Sequence, residues 1–255
     1  MARLTMLSDE QLLQYSRQIM LPQIDIEGQN KLLNARVLVL GLGGLGSPVA
    51  MYLATAGVGS LTLVDDDQVD LTNLQRQVIH RIDSIEKPKV DSAAETLKAL
   101  APTCRLQCFN ERMAESDLSK LVSQVDLVVD CCDNFETRFM INRVCFSNKT
   151  PLVSGAAIRW EGQVSTFTMQ ANTPCYRCVY EEDVHSDQSC AHNGVVAPLV
   201  GVIGSMQALE AVKVITGAGE PASGKLLLFD GLSMEWRTIK FKPRKGCPVC
   251  GDHLR

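Results

Sequence analysis

Three sets of residues in this chain carry chemistry by their type and spacing. The first is a glycine turn: Gly41, Gly43 and Gly46 fall in G-x-G-x-x-G spacing, directly after the short apolar run 37–40. Without Cβ atoms such a turn bends sharply and lets backbone amides lie against phosphate oxygens. Asp65 follows about 20 residues later, where an acid can accept a ribose hydroxyl. The second set is cationic. Arg76 lies in the polar stretch Thr72-Asn73-Leu74-Gln75-Arg76-Gln77, and Lys89 in Lys87-Pro88-Lys89. An Arg fork matches phosphate oxygens. A lysine in the first turn of a helix opposes the helix dipole, a penalty that a bound anion removes. Residues 72–77 have a plainer reading, an ordinary polar helix start, and so has Arg17, a solvated helix charge. The glycines and Asp65 alone would also suit an NAD-dependent oxidoreductase, but that leaves Arg76 and Lys89 without a partner.

The third set is thiol. Cys175-x-x-Cys178 and Cys247-x-x-Cys250 are two knuckles of the kind that supply a tetrahedral zinc–sulfur site, closed on all four positions and therefore structural. A thioredoxin-like redox pair is the alternative, disfavoured because neither pair opens a helix after a strand near the N-terminus. Cys190 stands apart in a polar, turn-rich stretch at 181–193, near His185 and His192. A thiol there is either activated by a neighbouring cation or an incidental loop cysteine. Cys104, Cys108, Cys131, Cys132 and Cys145 sit in apolar segments and are expected in the core.

These residues need elements to hold them. The chain has 255 residues, 45% hydrophobic and 5% aromatic, with a formal net charge of −4. That length buries a full core. The charge argues against a nucleic-acid binder, and the segment 195–216 reads as a buried helix rather than a membrane span because Glu210 and Lys213 interrupt it. Residues 1–20 carry Asp9, Glu10 and Arg17 and do not form a secretory signal, so a reducing cytoplasm is expected. Ser8-Asp9-Glu10-Gln11 is a capping box opening a helix to about residue 20. A short helix over 28–33, a strand over 37–40, a helix over 49–56 opened by Pro48 and closed by Gly57, and a strand over 60–64 follow. Then come a helix over 90–100, a strand over 105–109, a helix over 113–122 and a strand over 125–130. Asp133 and Asn134 follow that strand, at the carboxyl end of a parallel sheet where ligands bind, and Asp133 is a candidate helix cap. A strand over 151–155, a hairpin over 157–169 centred on Glu161-Gly162, and a second hairpin over 225–241 complete the chain. The fold class is α/β: a Rossmann-like, mostly parallel sheet flanked by helices, with antiparallel C-terminal strands. The organisation is one domain, with N-terminal helices over 1–34, a nucleotide-binding core over 35–155, and hairpins, crossover loop and metal-bound tail over 156–255.

Taken together, Tyr15-Ser16-Arg17-Gln18, Gly41-Leu-Gly-Gly-Leu-Gly46, Asn73-Leu-Gln-Arg76, Lys87-Pro-Lys89, Asp130-Cys-Cys-Asp133-Asn134 and the paired C-x-x-C motifs resemble the MoeB/ThiF adenylyltransferases, relatives of the ubiquitin-activating enzymes. The resemblance covers nearly the full length. It implies binding of ATP and adenylation of the C-terminal glycine of a small ubiquitin-like sulfur-carrier protein ending in Gly-Gly, with Mg²⁺ and a structural Zn²⁺. It implies that Gly41, Gly43, Gly44 and Gly46 lie against the nucleotide, with Gly44 at the closest approach. Asp65 would hold the ribose, and Asp67, Thr72, Asn73, Leu74, Gln75 and Asn134 would belong to the same nucleotide pocket. Arg76 and Lys89 would hold the phosphates and Asp133 would help place Mg²⁺. Arg17 matches a residue that reaches the ATP of a partner subunit, so a homodimer is implied. Cys175, Cys178, Cys247 and Cys250 match zinc ligands, and Cys190 a loop cysteine that in some members bonds covalently to the carrier. A separate sulfur donor, a cysteine desulfurase or rhodanese, is implied too, since no rhodanese domain follows Cys250. Residues 151–163 look more like the molybdopterin-synthase branch, and residues 229–237 somewhat like the thiamine branch. A non-catalytic carrier-binding scaffold on the same fold is the third reading.

Overall fold

The run Arg36–Leu40 forms the central strand, β1, and its four apolar residues are all buried. Their side chains alternate between two cores. Val37 and Val39 join one apolar cluster and Leu38 and Leu40 the other, as a strand covered on both faces must have it. The structure is a computed structural model that describes residues 7–181 and 194–251.

Before β1 come α1 (Asp9–Gln14), α2 (Ser16–Ile19) and α3 (Asp25–Asn34). The capping box is present: the Ser8 hydroxyl accepts the Gln11 amide, and Gln11 Oε1 accepts the Ser8 amide. The helix expected to run unbroken to about residue 20 is interrupted at Tyr15, whose ring is buried at 4% exposure while its neighbours stay at the surface. Strand β1 leads through the glycine turn into α4 (Gly46–Thr55), then β2 (Ser60–Val64), α5 (Lys89–Leu100) and β3 (Arg105–Phe109). Next are α6 (Glu115–Val122), β4 (Leu127–Asp130), α7 (Phe135–Asn148), β5 (Leu152–Ile158) and β6 (Glu161–Phe167). Then follow the single-turn α8 (Tyr176–Val179), α9 (Ala197–Thr216), β7 (Lys225–Asp230) and β8 (Glu235–Lys240).

Among the described residues eight strands form one sheet, in the order β3-β2-β1-β4-β5-β6-β7-β8. The pairs from β3 to β5 are parallel and those from β5 to β8 antiparallel. The expected strand over 151–155 and the first strand of the expected hairpin are one element, β5. The hairpin turns at Arg159-Trp160, with Arg159 at φ +54, and Glu161-Gly162 already belongs to β6. Gly162 is needed there for a different reason: a Cβ would lie 2.4 Å from the end of the Ile203 side chain on α9.

Helix α9 is apolar and long enough to cross a membrane by length and composition, yet half of it is buried against the sheet and α4. Its Glu210 is buried, pairs with Lys213, and accepts the Thr166 hydroxyl at 2.6 Å and the Ala222 amide at 2.7 Å. Such tethers hold a charge inside a protein core. Cys104, Cys131 and Cys145 are buried as expected, Cys132 is half-buried, and Cys108 is exposed. Cys108 lies on β3, the edge strand, whose residues are half-buried or exposed throughout.

Candidate nucleotide site and metal centre

The strand order reverses between β1 and β4, and the crevice beyond their carboxyl ends is where a parallel sheet takes its ligand. A cavity of about 670 Å³ lies there, lined by Gly41, Gly43 and Gly44 from one side and by Cys131, Cys132, Asp133 and Asn134 from the other. The two halves are pressed together. A Cβ on Gly41, which has φ +88, would meet the Cys131 carbonyl oxygen at 2.8 Å. A Cβ on Gly46 would sit 1.9 Å from the Gly41 oxygen, so this glycine shapes the turn without lining the cavity. Gly44 lines it, and a Cβ there would press on Val200 of α9 at 2.8 Å.

Asp65 stands at the end of β2. Its Oδ2 accepts the Leu42 amide at 2.6 Å and its Oδ1 the Asp67 amide at 2.9 Å. Each carboxylate oxygen keeps a second lone pair for a ligand hydroxyl. Burial pushes the Asp65 carboxyl above the usual range, against the pull of Lys89 and of both amides. Lys89, the first residue of α5, is buried and reaches Asp67 Oδ2 at 2.7 Å, while Asp67 is exposed on the cavity wall. Arg76 is half-buried on the same wall, its guanidinium donating to the Thr72 carbonyl at 3.2 Å and to Asn73 Oδ1 at 3.0 Å. Thr72 and Gln75 line the cavity. Asn73 and Leu74 do not: Asn73 Oδ1 instead holds Arg76 and, at 3.2 Å, Gln77 Nε2. Asn134, not Asp133, caps α7, accepting the Thr137 amide at 2.9 Å. Asp133 is therefore left exposed towards the cavity. Arg17 is exposed on α2 and does not line the cavity of its own chain. Cys190, His185 and His192 lie outside the described residues.

Two contributors went unread in the sequence. Arg138 is buried at the cavity floor, donating to the Cys132 carbonyl at 2.6 Å and the Gly155 carbonyl at 3.3 Å. Burial works against its charge, but Asp130, 3.9 Å away, and Tyr176 outweigh it and hold it ionised. Asp130 in turn accepts the Ser154 hydroxyl at 2.8 Å and the Cys132 amide at 3.0 Å, which fixes the loop carrying Asp133. His80 is the second. It is buried between Ser92 and the Leu42 carbonyl, 2.9 Å from each.

On the face opposite α4 and α9, the sulfurs of Cys175, Cys178, Cys247 and Cys250 lie within 4.8 Å of one another. Cys175 and Cys247 are 3.7 Å apart and Cys178 and Cys250 3.3 Å. A tetrahedral ion with bonds of roughly 2.3 Å needs sulfurs roughly 3.8 Å apart, so the cluster could hold a metal ion. Asn142 Nδ2 donates to Cys175 at 3.7 Å and the Arg244 amide to Cys178 at 3.4 Å, as groups around a thiolate site do. The Cys178 thiol is pushed down by the hydrogen bond from Cys175 foremost, and by the Arg244 amide, against its burial.

The chain is 47% identical over 246 residues to the molybdopterin-synthase adenylyltransferase of Escherichia coli K12, covering 96% of this chain and 99% of that one. It is 44% identical over 245 residues to the sulfur carrier protein ThiS adenylyltransferase of the same organism, covering 96% and 97%. Its fold matches the crystal structure of E. coli MccB with ATP at a TM-score of 0.80 and 26% identity, over 89% of this chain and 69% of that one. The ThiF family model matches residues 15–249, most of the chain, and the chain is therefore a member of the ThiF family.

Proposed function

We propose that this chain is an ATP-dependent adenylyltransferase that activates the C-terminal glycine of a small ubiquitin-like sulfur carrier, releasing pyrophosphate, for molybdenum cofactor synthesis. One observation carries the reading: the glycine turn, Asp65, Arg76 and Lys89 converge on one cavity at the strand-order switch, in a chain 47% identical to a molybdopterin-synthase adenylyltransferase. The cavity fits a nucleoside triphosphate. Among the described residues the amides of Gly43, Gly44 and Leu45 have no acceptor, and two cations, Arg76 and Lys89, line the same cavity. The attacking carboxylate is ionised at neutral pH, so the site needs charge neutralisation more than a base. Arg76 and Lys89 supply it as pyrophosphate leaves. Asp133 is the residue to hold Mg²⁺, which would add Lewis-acid charge stabilisation.

Zn²⁺ is the metal we assign to the four-cysteine cluster, with a structural role, because four thiols at this spacing leave no open position. The working form in this reading is a homodimer in the cytoplasm, with Arg17 reaching the partner's nucleotide. Its exposure, away from its own cavity, suits that role. Sulfur would come from a separate cysteine desulfurase or rhodanese, and neither nucleic acid nor membrane takes part. The second reading, adenylation of a ThiS-type carrier for thiamine synthesis, rests on the 44% identity to a ThiS adenylyltransferase. Pyrophosphate exchange with each carrier, beside binding of ATP and of NAD, tests the choice. Exchange with the molybdopterin-synthase small subunit is expected. Exchange with the thiamine carrier alone would move the pathway, and exchange with neither would overturn the function.

A further inference from the structure

The glycine turn is held from both sides of a single residue, Leu42, through the two peptides that flank it. The Leu42 amide donates to Asp65 Oδ2 at 2.6 Å, and the Leu42 carbonyl stands 2.9 Å from His80 Nε2. A carbonyl only accepts, so Nε2 carries the proton, and in the neutral imidazole that burial favours Nδ1 is a bare acceptor. Ser92 Oγ, 2.9 Å from Nδ1, is then the donor that fixes this tautomer. His80 and Ser92 are both buried. Ser92 lies on α5, one turn after Lys89. One turn further, the Thr96 hydroxyl donates to the Ile79 carbonyl at 2.8 Å and fastens the residue before His80 to the same helix. Helix α5 therefore presents Lys89 to the cavity and, through Ser92 and His80, grips the turn that faces Lys89.

We propose that His80 is a positioning residue for the nucleotide: its Nε2–H fixes the Leu42 peptide so that the amides of Gly43, Gly44 and Leu45 point into the cavity in register with Lys89. His80 does not line the cavity and touches no substrate. It acts through Leu42. The role rests on the adenylation reading only in naming ATP as the anion; the geometry calls for a polyphosphate.

The test compares two amides that differ by one methylene. In H80Q the side-chain N–H reaches the place of Nε2 and can serve Leu42. In H80N it reaches only the place of Nδ1 and serves Ser92. ATP affinity is measured by calorimetry, and apparent KM for ATP and for carrier by pyrophosphate exchange, on the full-length protein. We expect H80N to weaken ATP binding and raise its KM about tenfold, as for loss of a buried hydrogen bond. H80Q should stay within about threefold of wild type, and the carrier KM should hold in both. Folded H80N and H80Q with equal ATP affinity would overturn the role, as would a weakened carrier KM with ATP binding intact. Wild-type protein that binds ATP but exchanges with no carrier refutes adenylation instead, and the binding ratio of the two variants still decides for His80.

Discussion

Lys89 Nζ lies 2.7 Å from Asp67 Oδ2, and the two side chains have opposite surroundings: the lysine is 5% exposed, the aspartate 69%. The ammonium is thus held by a partner that water can reach, and in the proposed function a phosphate takes that partner's place. Changing Lys89→Ala or Arg76→Ala should slow pyrophosphate exchange on the order of 10²–10³-fold, as for removal of a charge-assisted contact made in the transition state. Circular dichroism should show both variants folded. Exchange near the wild-type rate in both would remove the phosphate clamp.

Freshly purified protein should contain one Zn²⁺ per chain by elemental analysis, and changing Cys247 and Cys250 together to Ser should release it. The knuckle belongs to the same apolar cluster as Leu38 and Leu40 of β1. Activity should therefore fall indirectly, with a lower Tm. Protein that is metal-free as purified and fully active counts against a structural zinc.

The glycines of the turn should differ in tolerance. A Cβ at position 46 meets backbone at 1.9 Å, whereas the nearest atoms to one at position 44 all belong to the Val200 side chain, from 2.8 Å. Gly44→Ala should cost about 1–3 kcal/mol of stability from overpacking, and adding Val200→Ala should restore most of it. Gly46→Ala should not be rescued by any side-chain change. Denaturant melts of the single and double variants decide this, and equal rescue in both would show that the turn can shift.

Burial, more than the proximity of Lys89, lowers the His80 pKa below the usual 6.5, and the hydrogen bond to Leu42 only partly opposes it. Below pH 6.5 the unfolded chain takes up a proton that the folded one refuses, so stability falls with falling pH until the folded pKa is passed. H80Q lacks this contribution. The Tm advantage of wild type over H80Q should therefore shrink between pH 7.5 and pH 5.5. An advantage that grows over that range would mean the imidazole is protonated in the fold.

Cys190→Ala should spare pyrophosphate exchange and lower only the yield of thiocarboxylated carrier, because a thiolate that attacks the acyl adenylate, forming a thioester and releasing AMP, acts after adenylation. Exchange rate and thiocarboxylate yield, measured with the sulfur donor present, separate the cases. Loss of exchange in a folded variant reverses the order, and wild-type values for both make Cys190 incidental.

Much of this was legible in the chain itself. Strands β2 and β3 lie over 60–64 and 105–109, where the sequence places them, and Asp65 falls where the spacing from the glycines puts it. Local pattern decides such elements. Tertiary partners decide the rest. Tyr15 breaks its helix because its ring is drawn into the interior. Asn73 is pulled off the cavity wall by Arg76 and Gln77. Nothing in the run Val78-Ile79-His80-Arg81 shows that Ser92 will turn towards it, so the histidine that grips the turn has no signal of its own. Arg138 is similar: it sits in an ordinary helix start until β4 and β5 close around it.

Strand β5 pairs in parallel with β4 through residues 152–154 and antiparallel with β6 along its whole length. The sheet thus changes direction inside one strand, which its parallel part and its hairpins share. Cutting the chain after residue 155 would split β5 and leave rows of unpaired N–H and C=O groups on both fragments. Neither fragment keeps a finished sheet. The molecule should therefore melt as a single cooperative unit.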